Sequence, residues 1–193
     1  MNTPLSREDI ENLKIGDTVY LSGTIFIARD EAHLRALEFY ESSQELPVDF
    51  SGGVIFHCGP IVRKEDRKIL AAGPTTSARM NSMEPKFIEL SGIRAIIGKG
   101  GMSKETVEAM KKFGCVYFAF TGGAAVLAAK GLEKVKDVFW LDLGMPEALW
   151  VVEADNFGPL VVAIDAFGNS IYDEVSKDIS KNLIESKRIL GIE

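Results

Sequence analysis

The sequence predicts a mixed α/β fold, with strands near both ends of the chain and strand–loop–helix units between them. Residues 93–114 and 115–131 each run from an apolar strand through a glycine loop into a helical segment. Two such units in succession favour parallel strands with helices packed on the sheet. Alternating β-branched and aromatic residues at 15–27 and 148–172 indicate further strands on either side.

The first half of the chain predicts mostly β structure. Residues 15–27 are expected to form one or two strands, and Asp30 is expected to cap a helix over residues 30–42. Residues 52–62 predict a strand that is interrupted at a Gly-Pro pair, and residues 69–72 are again typical of β structure.

The second half predicts capped helices and a hairpin. Ser103 is expected to be an N-cap and Gly114 a C-terminal cap glycine. Residues 148–172 predict strands of hairpin type, which are separated by a Gly-Pro pair and by a Gly-Asn turn. The tail predicts a surface helix at about residues 176–191. Because no repeat or long linker interrupts the chain, residues 1–193 predict a single domain.

Composition excludes several classes of protein. The net charge of −6, without a basic block, argues against a nucleic-acid partner. Cys58 and Cys115 lie in separate apolar segments, which predicts buried thiols in a reducing compartment rather than a disulfide. The polar N-terminus and the lack of an apolar run of about 18 residues predict a cytoplasmic protein without a membrane partner.

Polar side chains follow four of the predicted strands, where ligands bind in open α/β sheets. They are Arg29, the pair Thr75 and Thr76 with Arg79 in the segment GPTTSARM, Lys99, and the loop Thr121-Gly122-Gly123. If the chain turns helical at about Thr75, Thr75 and Arg79 face the same way and suit a carboxylate. An alternative stays open, in which Thr76 or Ser77 caps a helix and Arg79 is a solvated surface charge.

The glycine loops give a weak nucleotide signal. Lys99 precedes two glycines, whereas the lysine of a phosphate-binding loop follows the last glycine and precedes Ser or Thr. Lys99 is alternatively a surface lysine above a simple turn, and Thr121-Gly122-Gly123 is alternatively a tight connection between strand and helix.

The other polar residues predict no catalytic set. His33, at a surface position, and His57 are interpreted as structural because neither has a nearby partner of metal-ligand type, so we expect no metal site in this chain. Asp155 and Asp165 lie near turns, where carboxylates are commonly solvated or bonded to backbone. Patterns of the Ser-His-Asp, HExxH or CxxC type are absent.

The combined prediction is a cationic pocket with hydroxyl groups, built from Arg29, Thr75, Arg79 and Lys99. Three cations in one small site indicate a substrate with more than one negative charge, and a dicarboxylate fits because arginine binds carboxylates in bidentate fashion. The pocket has no evident base, metal ligand or redox group. The catalytic set is therefore incomplete within this chain.

A series of motifs in the same order resembles a known family. The motifs are LSGTIFIARDEAH, HCGPIV, AAGPTTSARMNSM, GKGGMS, TGGAAVLA and LGMPEALWVVEADNFGPLVVAIDAFGN. Together they are similar to the β subunit, or C-terminal domain, of the class I iron-sulfur fumarases and the related L-tartrate dehydratases, over about residues 10–172. The resemblance implies a swivelling β/β/α domain.

The resemblance also implies a function. We expect the β subunit of a hydro-lyase, most simply a fumarate hydratase that interconverts (S)-malate and fumarate, with L-tartrate dehydratase as the nearest alternative. The resemblance implies a four-iron four-sulfur cluster held by three cysteines of an α subunit, none bound by this chain alone, and an α2β2 assembly. A non-catalytic module that binds a small anion is the alternative from another class, and the lysine placement argues against a nucleotide or sugar-phosphate enzyme.

Matching the motifs residue by residue implies the site. Arg29 matches the arginine of the SG-x-I-x-x-x-RD segment, Thr75 and Arg79 match the GPTT-x-x-RM segment, and Lys99 matches the lysine of the KGG-type loop. The resemblance implies that Thr75 is the base that exchanges a proton with the substrate carbon, and that the cations and Thr76 bind substrate. Ala78, where glycine is common in the family, is a small departure.

Overall fold

The computed structural model describes residues 1–192, apart from the side chains of residues 184 and 185, and it contains a sheet that closes on itself. The strands are β1 Thr18–Ala28, β2 Val54–His57, β3 Ile61–Val62, β4 Ile69–Ala71, β5 Ala95–Gly98, β6 Val116–Ala119, β7 Leu132–Phe139 and β8 Leu149–Ile164. The helices are α1 Arg7–Glu11, α2 Asp30–Glu41, α3 Glu84–Ser91, α4 Lys104–Phe113, α5 Ala125–Lys130 and α6 Ile171–Leu190. The predicted mixed α/β fold with βα units is confirmed.

The closed sheet combines parallel and antiparallel pairing. Strands β1, β2, β5 and β6 are parallel neighbours in that order, as the two strand–loop–helix units predict. Strand β8 is antiparallel to both β6 and β1 and so joins the two ends of this parallel array. Strand β7 pairs with the first half of β8, and β3 and β4 form a small separate hairpin.

Two hydrophobic cores lie on the two faces of the closed sheet. Along β1, Ile25 and Ile27 point into the interior core, whereas Phe26 and Ala28 point to the core beneath the helices. This alternation follows from the two-residue period of a strand. Each fully buried Ile or Phe contributes about 1.5–3 kcal/mol to folding, so these two cores stabilise most of the fold.

The helix caps follow the sequence. Ser103 is the N-cap of α4 and accepts a hydrogen bond from the Thr106 amide at 3.3 Å, and Gly114 ends the helix with φ of 75°. Helix α6 begins at Ile171, about five residues before the predicted start, because the Ser170 hydroxyl caps it. No helix in residues 1–192 has the length and apolar character for a membrane crossing.

The region from residue 132 onward differs from the prediction. Residues 149–164 form one long strand rather than a hairpin, because β1 pairs along one side of it while β7 and then β6 pair along the other. Strand β7 was not predicted. Its register shifts place apolar residues three apart, at Leu132, Val135 and Val138, which hides the two-residue period of a strand.

The turn after β8 agrees with the prediction for Asp165. Its Oδ1 atom accepts hydrogen bonds from the amides of Phe167 and Asn169, both at 2.9 Å. This carboxylate therefore stabilises a turn.

Candidate active site

The parallel strands β1, β2, β5 and β6 place the predicted residues at one end of the closed sheet, here called the carboxyl end. These strands end at Ala28, His57, Gly98 and Ala119. Arg29 follows β1 directly and precedes α2, and Lys99 follows β5 directly. Parallel strands bring their carboxyl ends together, so the junctions after β1, β5 and β6 lie on one surface.

The segment GPTTSARM crosses this surface between β2 and β5. The Thr75 amide donates to the His57 carbonyl at 2.6 Å, and the Ser77 amide donates to the Lys99 carbonyl at 3.0 Å. A β-bridge also joins Thr76 to Lys99. The segment thus places Thr75 and Thr76 between the ends of two strands, Thr75 partly buried and Thr76 exposed.

The expectation of a helix beginning at Thr75 is wrong. Thr75 lies in the extended segment, and only Ser77–Met80 form a single 3₁₀ turn. The alternative in which a hydroxyl caps a helix is also wrong, because Thr76 makes no side-chain cap hydrogen bond and the Ser77 hydroxyl bonds to His57 at 2.9 Å. Thr75 is therefore positioned by the pairing of its segment with the ends of β2 and β5 and not by helical spacing.

Two guanidinium groups meet on one carboxylate at the start of α2. Asp30 Oδ1 accepts from Arg79 Nε at 3.0 Å, and Asp30 Oδ2 lies 3.3 Å from Arg29 Nε. Glu147 Oε1 lies 2.6 Å from Arg29 Nη2. Asp30 is the first residue of α2 rather than its cap, and Arg29 occupies the cap position without a side-chain cap bond. Arg29 and Arg79 are therefore close enough to act on the same ligand.

Lys99 extends over the glycine loop that follows β6. Its Nζ atom lies 3.6 Å from the position that a Cβ on Gly122 would occupy, which places the ammonium group beside this loop. The loop forms a 3₁₀ turn at Gly122–Ala124 that leads into α5, which agrees with its interpretation as a tight connection. Gly73 packs closely against α5, because a Cβ added to Gly73 would lie 3.1 Å from the Cβ of Ala125.

A cluster that the sequence did not predict lies directly beneath the carboxyl end. His33 Nε2 and His57 Nε2 lie 3.7 Å and 3.2 Å from Glu84 Oε2, and all three side chains are fully buried. We call His33, His57 and Glu84 the buried trio. The surface position expected for His33 is wrong, since only 1% of it is exposed, and both histidines do have a partner of metal-ligand type.

The buried trio is tied to the backbone of the candidate site. The Arg29 carbonyl lies 3.0 Å from His33 Nδ1, and the His57 carbonyl accepts from the Thr75 amide. Burial raises the pKa of Glu84, but the opposing charges of His57 and His33 outweigh it and hold that pKa below its usual value. Burial lowers the pKa of His33. Both shifts come from the close packing of these groups inside an apolar core.

Gly98 leaves space for a hydrogen-bonded network beside the trio. Tyr117 Oη donates to Ser77 Oγ at 3.1 Å, and Ser77 Oγ lies 2.9 Å from His57 Nδ1. A Cβ on Gly98 would lie 1.9 Å from Ser77 Oγ, which no L side chain tolerates without a shift. This glycine is thus required by the buried network.

The two cysteines lie on opposite faces of the closed sheet. Cys58 belongs to the interior core and Cys115 to the core beneath the helices, and both thiols are free and buried as predicted. Burial raises the pKa of Cys58 to about 12 and also raises that of Cys115. Two inert thiols on opposite faces cannot share a cofactor.

Comparison with known proteins supports the resemblance seen in the motifs. The family model described as Fumarase C-terminus matches residues 1–175. A putative L(+)-tartrate dehydratase subunit beta of Methanocaldococcus jannaschii is 50% identical over 184 residues, which is 94% of each chain. The L(+)-tartrate dehydratase subunit beta of Escherichia coli K12 is 44% identical, over 92% of this chain and 88% of that one.

A third relative is much longer. A putative fumarate hydratase class I of Geobacillus stearothermophilus is 37% identical over 190 residues, which is 97% of this chain but 36% of that protein. This chain therefore matches about a third of a longer protein in one case and nearly the whole of a subunit in the other two.

Proposed function

The chain belongs to the fumarase C-terminus family, and on that premise we propose that it is the β subunit of an iron-sulfur hydro-lyase. Its substrate is a four-carbon hydroxy-dicarboxylate or the product of its dehydration. The observation that carries the proposal is the meeting of Arg29 and Arg79 on the single carboxylate of Asp30 at the carboxyl end.

Arg29, Arg79 and Lys99 bind the substrate carboxylates in this proposal. Asp30 engages Arg79 through Nε, which leaves the Nη groups to form charge-assisted hydrogen bonds with a carboxylate. The Arg79 side chain is 52% exposed, so a ligand can reach it. Lys99 adds a point charge on the other side of Thr75 and Thr76, and Thr76 contributes a hydroxyl.

Thr75 transfers the proton at the substrate carbon. A free hydroxyl is a very weak base, so this role requires stabilisation of the alkoxide by nearby positive charge. Arg79 and Lys99 supply that charge from the same surface, and they also stabilise the negative charge that develops on the substrate in the transition state. The backbone bond from Thr75 to the end of β2 holds the residue in place.

The rest of the active site belongs to an α subunit. Iron-sulfur clusters are held by several cysteine thiolates, and Cys58 and Cys115 do not fit this role because they are buried on opposite faces of the sheet. We assign the four-iron four-sulfur cluster to the α subunit, where it would supply a Lewis acid for the departing hydroxyl. The assembly proposed is α2β2, in the cytoplasm, with residues 1–193 acting as one domain.

The exposed carboxyl end supports a shared site. Val126 and Leu127 of α5 are each 65% exposed beside the glycine loop that Lys99 overlies. Exposed apolar side chains next to an exposed arginine are typical of a surface that a partner covers. The α subunit would thus complete the site by closing over this end.

Two substrates are supported about equally. The two relatives that are 50% and 44% identical are named L(+)-tartrate dehydratase subunits, and the 37% identical relative is named a fumarate hydratase. L-Tartrate differs from malate by one hydroxyl, and a site seldom rejects an added hydroxyl strongly unless it is built to do so. We therefore keep (S)-malate with fumarate and L-tartrate as the two candidates.

Anoxic purification with a co-expressed α subunit tests the proposal. The assembled enzyme is expected to dehydrate (S)-malate or L-tartrate, and the ratio of the two kcat/KM values identifies the substrate. If the assembled protein converts neither substrate but still binds a dicarboxylate, the non-catalytic anion-binding module is the correct function.

A further inference from the structure

Four buried polar atoms of the trio have no hydrogen-bond partner among the described residues. They are His33 Nε2, His57 Nε2, Glu84 Oε1 and Glu84 Oε2. All three residues are at most 1% exposed. A buried carboxylate without hydrogen-bond donors is strongly destabilising unless a cation or several donors satisfy it. These four atoms therefore need a partner that the protein's own side chains do not provide.

The tautomer of His33 shows what kind of partner is missing. Its Nδ1 atom lies 3.0 Å from the Arg29 carbonyl, which can only accept, so Nδ1 carries the hydrogen. In the neutral ring Nε2 then presents a lone pair to Glu84 Oε2, at 3.7 Å. Two electron-rich atoms face each other across a distance too long for a hydrogen bond. A cation between them removes this conflict.

The separations leave room for a metal ion between the three residues. Donor atoms about 2.0–2.2 Å from a tetrahedral zinc ion lie roughly 3.3 Å from one another. The observed separations from Glu84 Oε2 are 3.2 Å to His57 Nε2 and 3.7 Å to His33 Nε2. One donor atom from each of the three residues lies within 4.8 Å of the other two.

The surroundings of the histidines match those of metal ligands. A histidine bound to a metal usually donates its second ring N–H to a carbonyl or another acceptor, which fixes the tautomer. His33 has the Arg29 carbonyl in this position, and His57 has Ser77 Oγ at 2.9 Å. Ser77 Oγ also accepts from Tyr117 and is thereby held in place.

We propose that His33, His57 and Glu84 bind one divalent transition-metal ion, zinc by preference, through the Nε2 atom of each histidine and the Glu84 carboxylate. Imidazole and carboxylate ligands suit zinc, and a site enclosed by protein on all sides is structural rather than catalytic. The ion would join the start of α2, the end of β2 and the start of α3, and so fix the backbones of Arg29 and Thr75. The proposal is independent of the hydro-lyase function.

Metal analysis of the full chain, produced without an α subunit so that no cluster iron contributes, is the direct test. Because metal binding of this kind is coupled to folding, we expect about one equivalent of zinc per native chain, retained through dialysis against a chelator and lost on unfolding. The site does not exist if the chain, after refolding with zinc, holds less than about a tenth of an equivalent of any first-row transition metal.

Cobalt supplies a second readout that does not depend on a variant. Refolding the chain with Co²⁺ is expected to give visible absorption bands of cobalt bound by nitrogen and oxygen ligands, and their absence would overturn the proposal. Glu84→Gln should abolish the bands, whereas Glu89→Gln, an exposed position on the same helix α3, should leave them unchanged. Equal bands from both variants would place any bound cobalt elsewhere.

Discussion

The exposed carboxyl end and the buried trio beneath it are both clusters of charge, but they differ in how the charge is balanced. At the carboxyl end, Arg29 and Arg79 already have acidic partners at the surface. In the trio, four atoms of His33, His57 and Glu84 have none. In our proposals the exposed cations exchange their partners for a substrate, whereas the trio binds an ion that is enclosed during folding. We thus propose chemistry in the first region and structural support in the second.

Arg79→Ala should have the largest effect and should affect catalysis alone. Loss of a carboxylate ligand and of transition-state charge is expected to lower kcat/KM of the assembled enzyme by about 10³-fold. The side chain is 52% exposed, so the unfolding free energy should stay within about 0.5 kcal/mol of wild type. Arg63→Ala, at another exposed arginine with an acidic partner, should change neither quantity.

Thr75 offers a separate test of the proton-transfer role. Thr75→Ala should lower kcat by about 10²-fold while KM changes little, because the hydroxyl acts in the reaction rather than in binding. Thr75→Ser keeps a hydroxyl and should recover part of the rate. Steady-state kinetics that show equal losses in the alanine and serine variants would exclude the role.

Glu84→Gln should act mainly on stability. Removing one charge from a buried cluster is expected to cost about 3–5 kcal/mol, which urea unfolding of the chain measures directly. Glu89→Gln on the same helix is exposed and should cost less than about 0.5 kcal/mol. A small cost for Glu84→Gln would mean that the trio does not support the fold.

Gly98→Ala should give a smaller loss of stability. Its Cβ would lie 1.9 Å from Ser77 Oγ and 3.0 Å from Tyr117 Oη, so the buried network must shift, at a cost of about 1–3 kcal/mol. Gly123→Ala has no atom within 4 Å of the new Cβ and should be nearly neutral. Similar melting temperatures for the two variants would argue against close packing at Gly98.

The smallest effect concerns the cysteines. Because burial raises the pKa of Cys58 to about 12, this thiol stays protonated as the pH rises through neutrality and only ionises far above it. The native protein should therefore react very slowly with a thiol reagent at neutral pH. In the unfolded protein, both thiols should react rapidly with the same reagent. Rapid labelling of native chain would show that the cores open easily.

Local motifs explain why most of the exposed site could be predicted. Arg29 and Lys99 directly follow apolar strands. Parallel pairing brings such positions together at one end of the sheet, and it does not depend on the other connections in the fold. The prediction was wrong where distant pairing decides the structure. Thr75 is extended because two strand ends bind its segment, and residues 149–164 stay one strand because β1 spans them.

The buried trio could not be predicted for the same reason. Its members are far apart in the sequence, and Glu84 begins a helix without a side-chain cap that would mark its start. His33 lies in the first turn of α2, a position usually at the surface, but α3 packs over it. Only the three-dimensional packing brings the two imidazoles to one carboxylate.

Titrating a purified α subunit with this chain, under anoxic conditions, tests the central claim that the carboxyl end is half of an active site. The account predicts no turnover of (S)-malate or L-tartrate by either protein alone, and a rate that rises with added chain to a plateau. The Arg79→Ala chain should compete with wild type for the α subunit and lower that rate. Full turnover by the α subunit alone, or an active Arg79→Ala assembly, would contradict the claim.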